Sequence, residues 1–184
     1  MDRVAYIKQE FAETLGYIRG DLRWLLDKDS GLNYTIGLLV GCGCEMLAAC
    51  GTDGKRLGEK VFAELLPPGE WQILADRLYG ALRDGLAHGF DTKHLSVEGQ
   101  EHQIYLDSRG RQGFYIVNNA RGVGLHVGVR ALAEQLCVRI DEFESLMAHD
   151  EDARERFMKS RQRTAELNTK EAEAWGSLVK AAGY

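Results

Sequence analysis

The stretch RDGLAHGF, Arg83 to Phe90, puts a guanidinium, a carboxylate and an imidazole within six residues, with glycine at 85 and 89. Asp84 and His88 are four apart, so on a helix they share a face and a carboxylate–imidazole hydrogen bond is within reach. Arg83 and His88 are five apart, which a regular helix rotates by about 140°. A helix break at Gly85 would let these two converge. An imidazole exchanges protons near neutral pH, and a guanidinium offers a fork of donors to phosphate or carboxylate oxygens. The set is therefore read as a cation, a proton-transfer group and the acid that orients it. The plainer reading is a helix end: Gly85 stops the helix, Arg83 satisfies its last carbonyls, and His88 is a polar core residue.

A second segment must support this one. Glu45 interrupts the apolar run YTIGLLVGCGCEMLAAC, Tyr34 to Cys50. A buried, unpaired carboxylate is costly, so Glu45 is expected in water at the rim of a bundle or paired with an arginine. Paired with Arg83, it would hold the guanidinium from a neighbouring helix. Gly37 and Gly41 in the same run are spaced to let another helix approach closely.

The rest of the chain is mostly helical by period. Phe11, Leu15, Ile18, Leu22, Leu25 and Leu26 recur three and four apart, which predicts helix across roughly 4–26. EKVFAELL, a helix from about Glu70 that carries Leu74, Leu78 and Leu82, and RALAEQLCVRIDEFESLMAHD continue the pattern. Asn168 and Glu171 form a capping signature for a last helix. Between about 102 and 129 the period changes: Ile104 and Leu106, a glycine-containing turn, and Phe114 to Val117 predict a hairpin, and Val123 to Val129 a third strand. The GVG at 122–124 echoes a dinucleotide loop, but no helix with the required final glycine follows. The expected fold is mostly α: one domain over 1–184, a bundle of four to five core helices, a small β-insert and a charged helical extension at 150–184.

Composition narrows the function. A net charge of −5 gives no global field toward nucleic acid or anionic membrane, so any polyanion needs a local basic patch. The N-terminal residues lack the apolar stretch of a signal peptide, and the Tyr34–Cys50 run is short for a bilayer and reads as a core helix. Three of the four cysteines, Cys42, Cys44 and Cys50, fall in that run and are expected to be reduced and mostly buried, in a cytoplasmic setting without disulfides. No metal site is expected, since Cys42 and Cys44 have no second ligand pair at zinc spacing. No cofactor is expected, and no membrane partner. His94, His102, His126 and His149 are read as surface residues.

LYGALRDGLAHGF resembles the signature of the HEPN superfamily, in which an Arg, usually followed by Asn, Asp or His, is separated from a His by four to six intervening residues. Arg83, Asp84 and His88 match those three positions. The likeness covers about 20 residues plus the helical outline of the first 95 residues and of 130–149; the β-insert is outside the minimal family core. It implies a helical bundle that dimerises to bring two motifs into one cleft. Active members are metal-independent endoribonucleases of toxin–antitoxin, antiviral and RNA-processing systems; others are non-catalytic modules that bind nucleotide, RNA or protein. The implied roles are His88 as base or acid toward the 2′-OH and the leaving 5′-oxygen, Arg83 on the phosphate, and Asp84 on the imidazole tautomer, with Glu45 in support. The implied partners are a second copy of the chain, an RNA or nucleotide, and an antitoxin protein. One departure is Phe90, where toxins silenced by a nucleotidyltransferase commonly carry a Tyr two residues after the His. Arg154, Arg156, Lys159, Arg161 and Arg163 lie within ten residues. They are read either as a solvated helix face among acids or as a contact to the RNA backbone.

Overall fold

A threonine divides the first predicted helix. Thr14 Oγ1 donates to the carbonyls of Glu10 at 2.7 Å and Phe11 at 3.3 Å, a local bond that competes with continued helix. The computed structural model therefore has α1 at Arg3–Ala12 and α2 at Leu15–Leu26 where the period predicted one element. The structure describes residues 2–28, 32–51, 57–89, 92, 94–106, 113–120, 122–162 and 168–183, without the side chain of His88.

The apolar run forms α3, Asn33–Gly51, and it is apolar all round, which suits a helix enclosed by others. Its neighbours are α2, α4 (Gly58–Leu65), α6 (Ala75–Gly89), α7 (Val129–His149) and α8 (Glu151–Arg161). Among the described residues α3 is the one helix long and apolar enough to cross a membrane, and half of that span is buried within the bundle. Leu15, Leu22, Ile36, Phe62, Leu78, Leu132, Leu136, Ile140 and Phe157 form the centre of the core, each almost fully buried. Pro67, Pro68 and Gly69 end α4, and a short α5, Glu70–Ile73, bends at Leu74 into α6. The glycine spacing on α3 has the expected use. A Cβ at Gly37 would lie 2.8 Å from Leu86 Cδ1, and Gly41 lies under Arg83.

The β-insert differs from its expectation in extent and pairing. A hairpin of β1, Leu95–Val97, and β2, Gln100–His102, precedes the predicted start, turning on Glu98 and Gly99 with φ of 50° and 79°. Both central residues of a type I′ turn need positive φ, and only the glycine takes it without strain. β3, Ile104–Leu106, does not pair with β4, Tyr115–Asn119. The strand order is β3–β5–β4, with β5, Gly122–Val127, central, parallel to β3 and antiparallel to β4. Burial decides this: β5 ends in four buried residues, Gly124 to Val127, and the most enclosed strand takes the middle. Gly124 permits the pairing, because a Cβ there would lie 2.7 Å from Gln103 O and 2.6 Å from the Tyr105 ring. The GVG glycines thus serve a turn and a strand contact.

Two burial expectations are corrected. Cys42 is exposed, whereas Cys44, Cys50 and Cys137 are buried and all four are free thiols; helical rotation turns Cys42 out of the bundle although its segment is apolar. His126 is buried, its ring stacked on Tyr115 at 4.3 Å and its Nδ1 3.1 Å from Gly113 O. The segment read as an extension is two different things. α8 buries Ala153 and Phe157 in the core. α9, Thr169–Ala181, has the expected Asn168–Glu171 capping box and no buried residue.

Candidate functional site on helix α6

α6 buries Ala75, Leu78, Tyr79, Leu82 and Leu86, a three-and-four spacing that seats it on α3 and leaves its opposite face outward. The helix continues without a break from Ala75 to Gly89. The expected break at Gly85 is therefore absent. Gly85 is itself buried within the continuous helix. At about 100° per residue, positions 83 and 88 stay about 140° apart, while 84 and 88 share a face. The structure keeps one pair of the motif together and separates the other.

Arg83 sits on the side of α6 that meets α3. Its Nε lies 3.7 Å from Glu45 Oε1, and its Nη1 donates to Asp84 Oδ1 at 2.8 Å. Glu45 thus pairs with Arg83 from the neighbouring helix. Tyr79, one turn before Arg83, donates its hydroxyl to the same Glu45 oxygen at 2.8 Å. The second oxygen, Glu45 Oε2, is buried without a hydrogen-bond partner among the described residues. Burial, reinforced by the bond to Glu45, pushes the Tyr79 phenol well above its ordinary pKa. The bond to Asp84, more than the ion pair with Glu45, raises Arg83 further and keeps it cationic. The Arg83 side chain is still 41% exposed, so part of the guanidinium faces water.

Gly58, the first residue of α4, closes this cluster. A Cβ at that position would lie 2.3 Å from Tyr79 Oη and 3.0 Å from Glu45 Cδ. Neither Gly58 nor Tyr79 was assigned a role from sequence. Tyr79 carries a legible signal, four residues before Arg83 and so on the same helical side; Gly58 carries none, because its importance comes from a helix distant in sequence.

The outward face of α6 borders a groove of about 660 Å³ closed on its far side by β1. Arg77, Gly80 and Asp84 line it from the helix and His94 and Leu95 from the insert. His94, 49% exposed, has Nδ1 3.6 Å from Glu101 Oε2. Asp84 therefore belongs to both sides, bonded to Arg83 and facing the groove.

The basic segment of α8 does not form one surface. Arg154 Nη1 donates to Met147 O at 2.7 Å, closing the end of α7, and its Nη2 pairs with Glu151 at 2.6 Å. Glu151 is held below the usual carboxylate range chiefly by that hydrogen bond. Arg161 pairs with Glu10 of α1 at 3.2 Å. Arg156 and Lys159 lie on the other side of the helix, about 140–160° around the axis from Arg154 and Arg161, and Arg156 Nε is buried without a partner among the described residues. Arg163 is outside the described residues, as is Phe90. Among the described residues no three His, Cys, Asp or Glu side chains converge as metal ligands would.

Fold and site define a mostly helical bundle with a small β-insert and an arginine–carboxylate cluster where two core helices meet. No family model matches the chain, and no curated protein or solved structure matches it.

Proposed function

We propose that this chain is a metal-independent endoribonuclease of the HEPN type, working as a homodimer in the cytoplasm. One observation carries the reading. Arg83 is tethered from α3 by Glu45 and bonded to Asp84, and position 88 follows Asp84 one turn on, along the face that borders the groove. A motif of purely local helix-ending residues would not recruit a carboxylate from a second helix. In this reading His88 takes the proton of the RNA 2′-OH or protonates the leaving 5′-oxygen, Asp84 orients it, and the exposed part of Arg83 meets phosphate. A second copy contributes the other imidazole. The buried free thiols suit a reducing compartment, and an antitoxin protein is a further partner. The test is direct. The purified chain should cut single-stranded RNA in EDTA and leave 2′,3′-cyclic phosphate ends, and it should have the mass of a dimer at micromolar concentration. Absence of cleavage, or cleavage restored only by added metal, would remove the reading.

The second reading is a non-catalytic module of the same kind that binds nucleotide, RNA or protein. It is favoured by the two carboxylates on Arg83, Glu45 and Asp84, which neutralise the cation that phosphate would need. RNA binding without cleavage is its signature.

A further inference from the structure

Arg83 is the motif's cation, yet α6 carries a different one on the face of His88. At about 100° per residue, Arg77 lies within about 20° of Asp84 and within about 20° of position 88 around the helix axis. Arg83 lies about 140° from position 88. The two arginines also differ in what holds them. Arg83 is engaged by Glu45 and Asp84. Arg77 is exposed and lines the 660 Å³ groove with Gly80, Asp84 and His94; no ion pair engages it among the described residues.

The groove between α6 and β1 has a helical floor with room above it. Nothing lies within 4 Å of a Cβ built at Gly80, so a ligand can approach the helix closely there. Leu74 and Leu95 supply apolar walls beside the Arg77 guanidinium and the His94 imidazole. Apolar walls with a guanidinium and an imidazole beside them suit a nucleotide unit, which presents a flat base and a charged phosphate together. The β1–β2 hairpin forms one wall, so the insert would contribute to binding.

We propose that this groove is the RNA track and that Arg77 binds a further phosphate of the strand, apart from the one that Arg83 meets, receiving the strand along the stripe Arg77, Gly80, Asp84 and position 88. The proposal rests on the ribonuclease reading for the identity of its ligand as RNA; it does not require that cleavage occur.

The test measures binding apart from chemistry. A fluorescein-labelled single-stranded RNA of mixed sequence is titrated in EDTA against the His88→Ala chain and against the same chain with Arg77→Ala, Arg77→Lys or Gly80→Leu. Arg77→Ala should weaken binding about 10-fold or more, as loss of a charge-assisted contact does, and lower the salt slope by about one. Arg77→Lys should keep the salt slope. Gly80→Leu should weaken binding by filling the groove; it enters open space and improves helix propensity, so its melting temperature should not fall. Binding unchanged by Arg77→Ala and Gly80→Leu overturns the proposal, and so does a His88→Ala chain that binds no RNA. If these variants weaken binding while the unmodified chain cuts nothing, only the ribonuclease reading falls.

Discussion

Helices α6 and α8 both carry dense charge, and the bundle treats them differently. On α6, Arg83 is drawn into a cluster with Tyr79 and Glu45 while its neighbour Asp84 faces an open groove. On α8, Arg154 and Arg161 are consumed by Met147 O, Glu151 and Glu10, contacts that dock one helix on two others. What separates a site from a seam here is whether charge remains directed at unfilled space. Density of charge in the sequence does not decide it, because helical rotation and distant partners do.

The largest effect should come from the α6 face. His88→Ala should reduce RNA cleavage by about 10²–10⁴-fold, the usual contribution of a general acid or base, while combined replacement of Arg154 and Arg161 by alanine should leave the rate per folded molecule unchanged. A ribonuclease assay on both variants, normalised to folded protein by circular dichroism, checks this. Equal loss in both would erase the distinction between the helices.

Thiols on α3 report on the same two neighbours. Cys44 lies beside the Tyr79–Glu45 cluster and is fully buried; burial also suppresses its thiolate. Cys50 lies under α8, its Sγ 3.4 Å from Ser160 Oγ. Cys42 is exposed. Native-state labelling followed by mass spectrometry should modify Cys42 at once, Cys50 at the rate at which α8 undocks, and Cys44 only on global opening, slowed by about a thousandfold or more for a domain of ordinary stability. Cys44 reacting as fast as Cys50 would mean that the α3–α6 contact opens as readily as α8.

How much of this was legible depended on the range of the interaction. Helix periods, the Asn168 cap and the glycine spacing of α3 are local, and each has a structural counterpart. Glu45 was legible too, since a lone carboxylate in an apolar helix demands a partner. The continuity of α6 was not, because a buried Gly85 and a helix-ending glycine look alike in sequence. Strand order was hidden for a related reason: Leu106 and Phe114 flank a turn signal, but the partner of each strand is set by which one the core encloses. Gly58 and the division of the α8 cations depend on residues far away along the chain.

Two smaller effects test the seams themselves. Gly58→Ala should destabilise the fold by about 1–3 kcal/mol, the range for an added carbon without room, because Tyr79 and Glu45 must move. The same variant in Tyr79→Phe should lose less, since the hydroxyl it meets is gone; thermal melts of the four chains measure that coupling. Equal losses in both backgrounds would place the strain elsewhere. Arg154→Ala should cost about 1–2 kcal/mol through loss of its charge-assisted hydrogen bonds to Glu151 and to the end of α7, discounted for partial exposure, with no change in RNA affinity.

The smallest effect concerns Lys159, which the sequence grouped with the RNA-contacting cations. It is exposed on α8, and around the helix it lies about 140–160° from Arg154 and Arg161; its one basic neighbour on its own side among the described residues of α8, Arg156, is half-buried with its Nε enclosed, so little exposed charge pools beside it. A surface lysine outside an exposed basic cluster contributes to polyanion binding only through a long-range term that salt screens within about 8 Å at physiological ionic strength. Lys159→Ala should therefore change RNA affinity by less than about twofold at 0.15 M salt and leave the salt slope within error, whereas a true phosphate contact would lower that slope by about one. Fluorescence anisotropy across a salt series separates the two outcomes. A slope lowered by one in Lys159→Ala would make α8 part of the RNA surface after all, and would show that its ion pairs with α1 and its hydrogen bonds to α7 orient the helix toward the ligand instead of spending its charge.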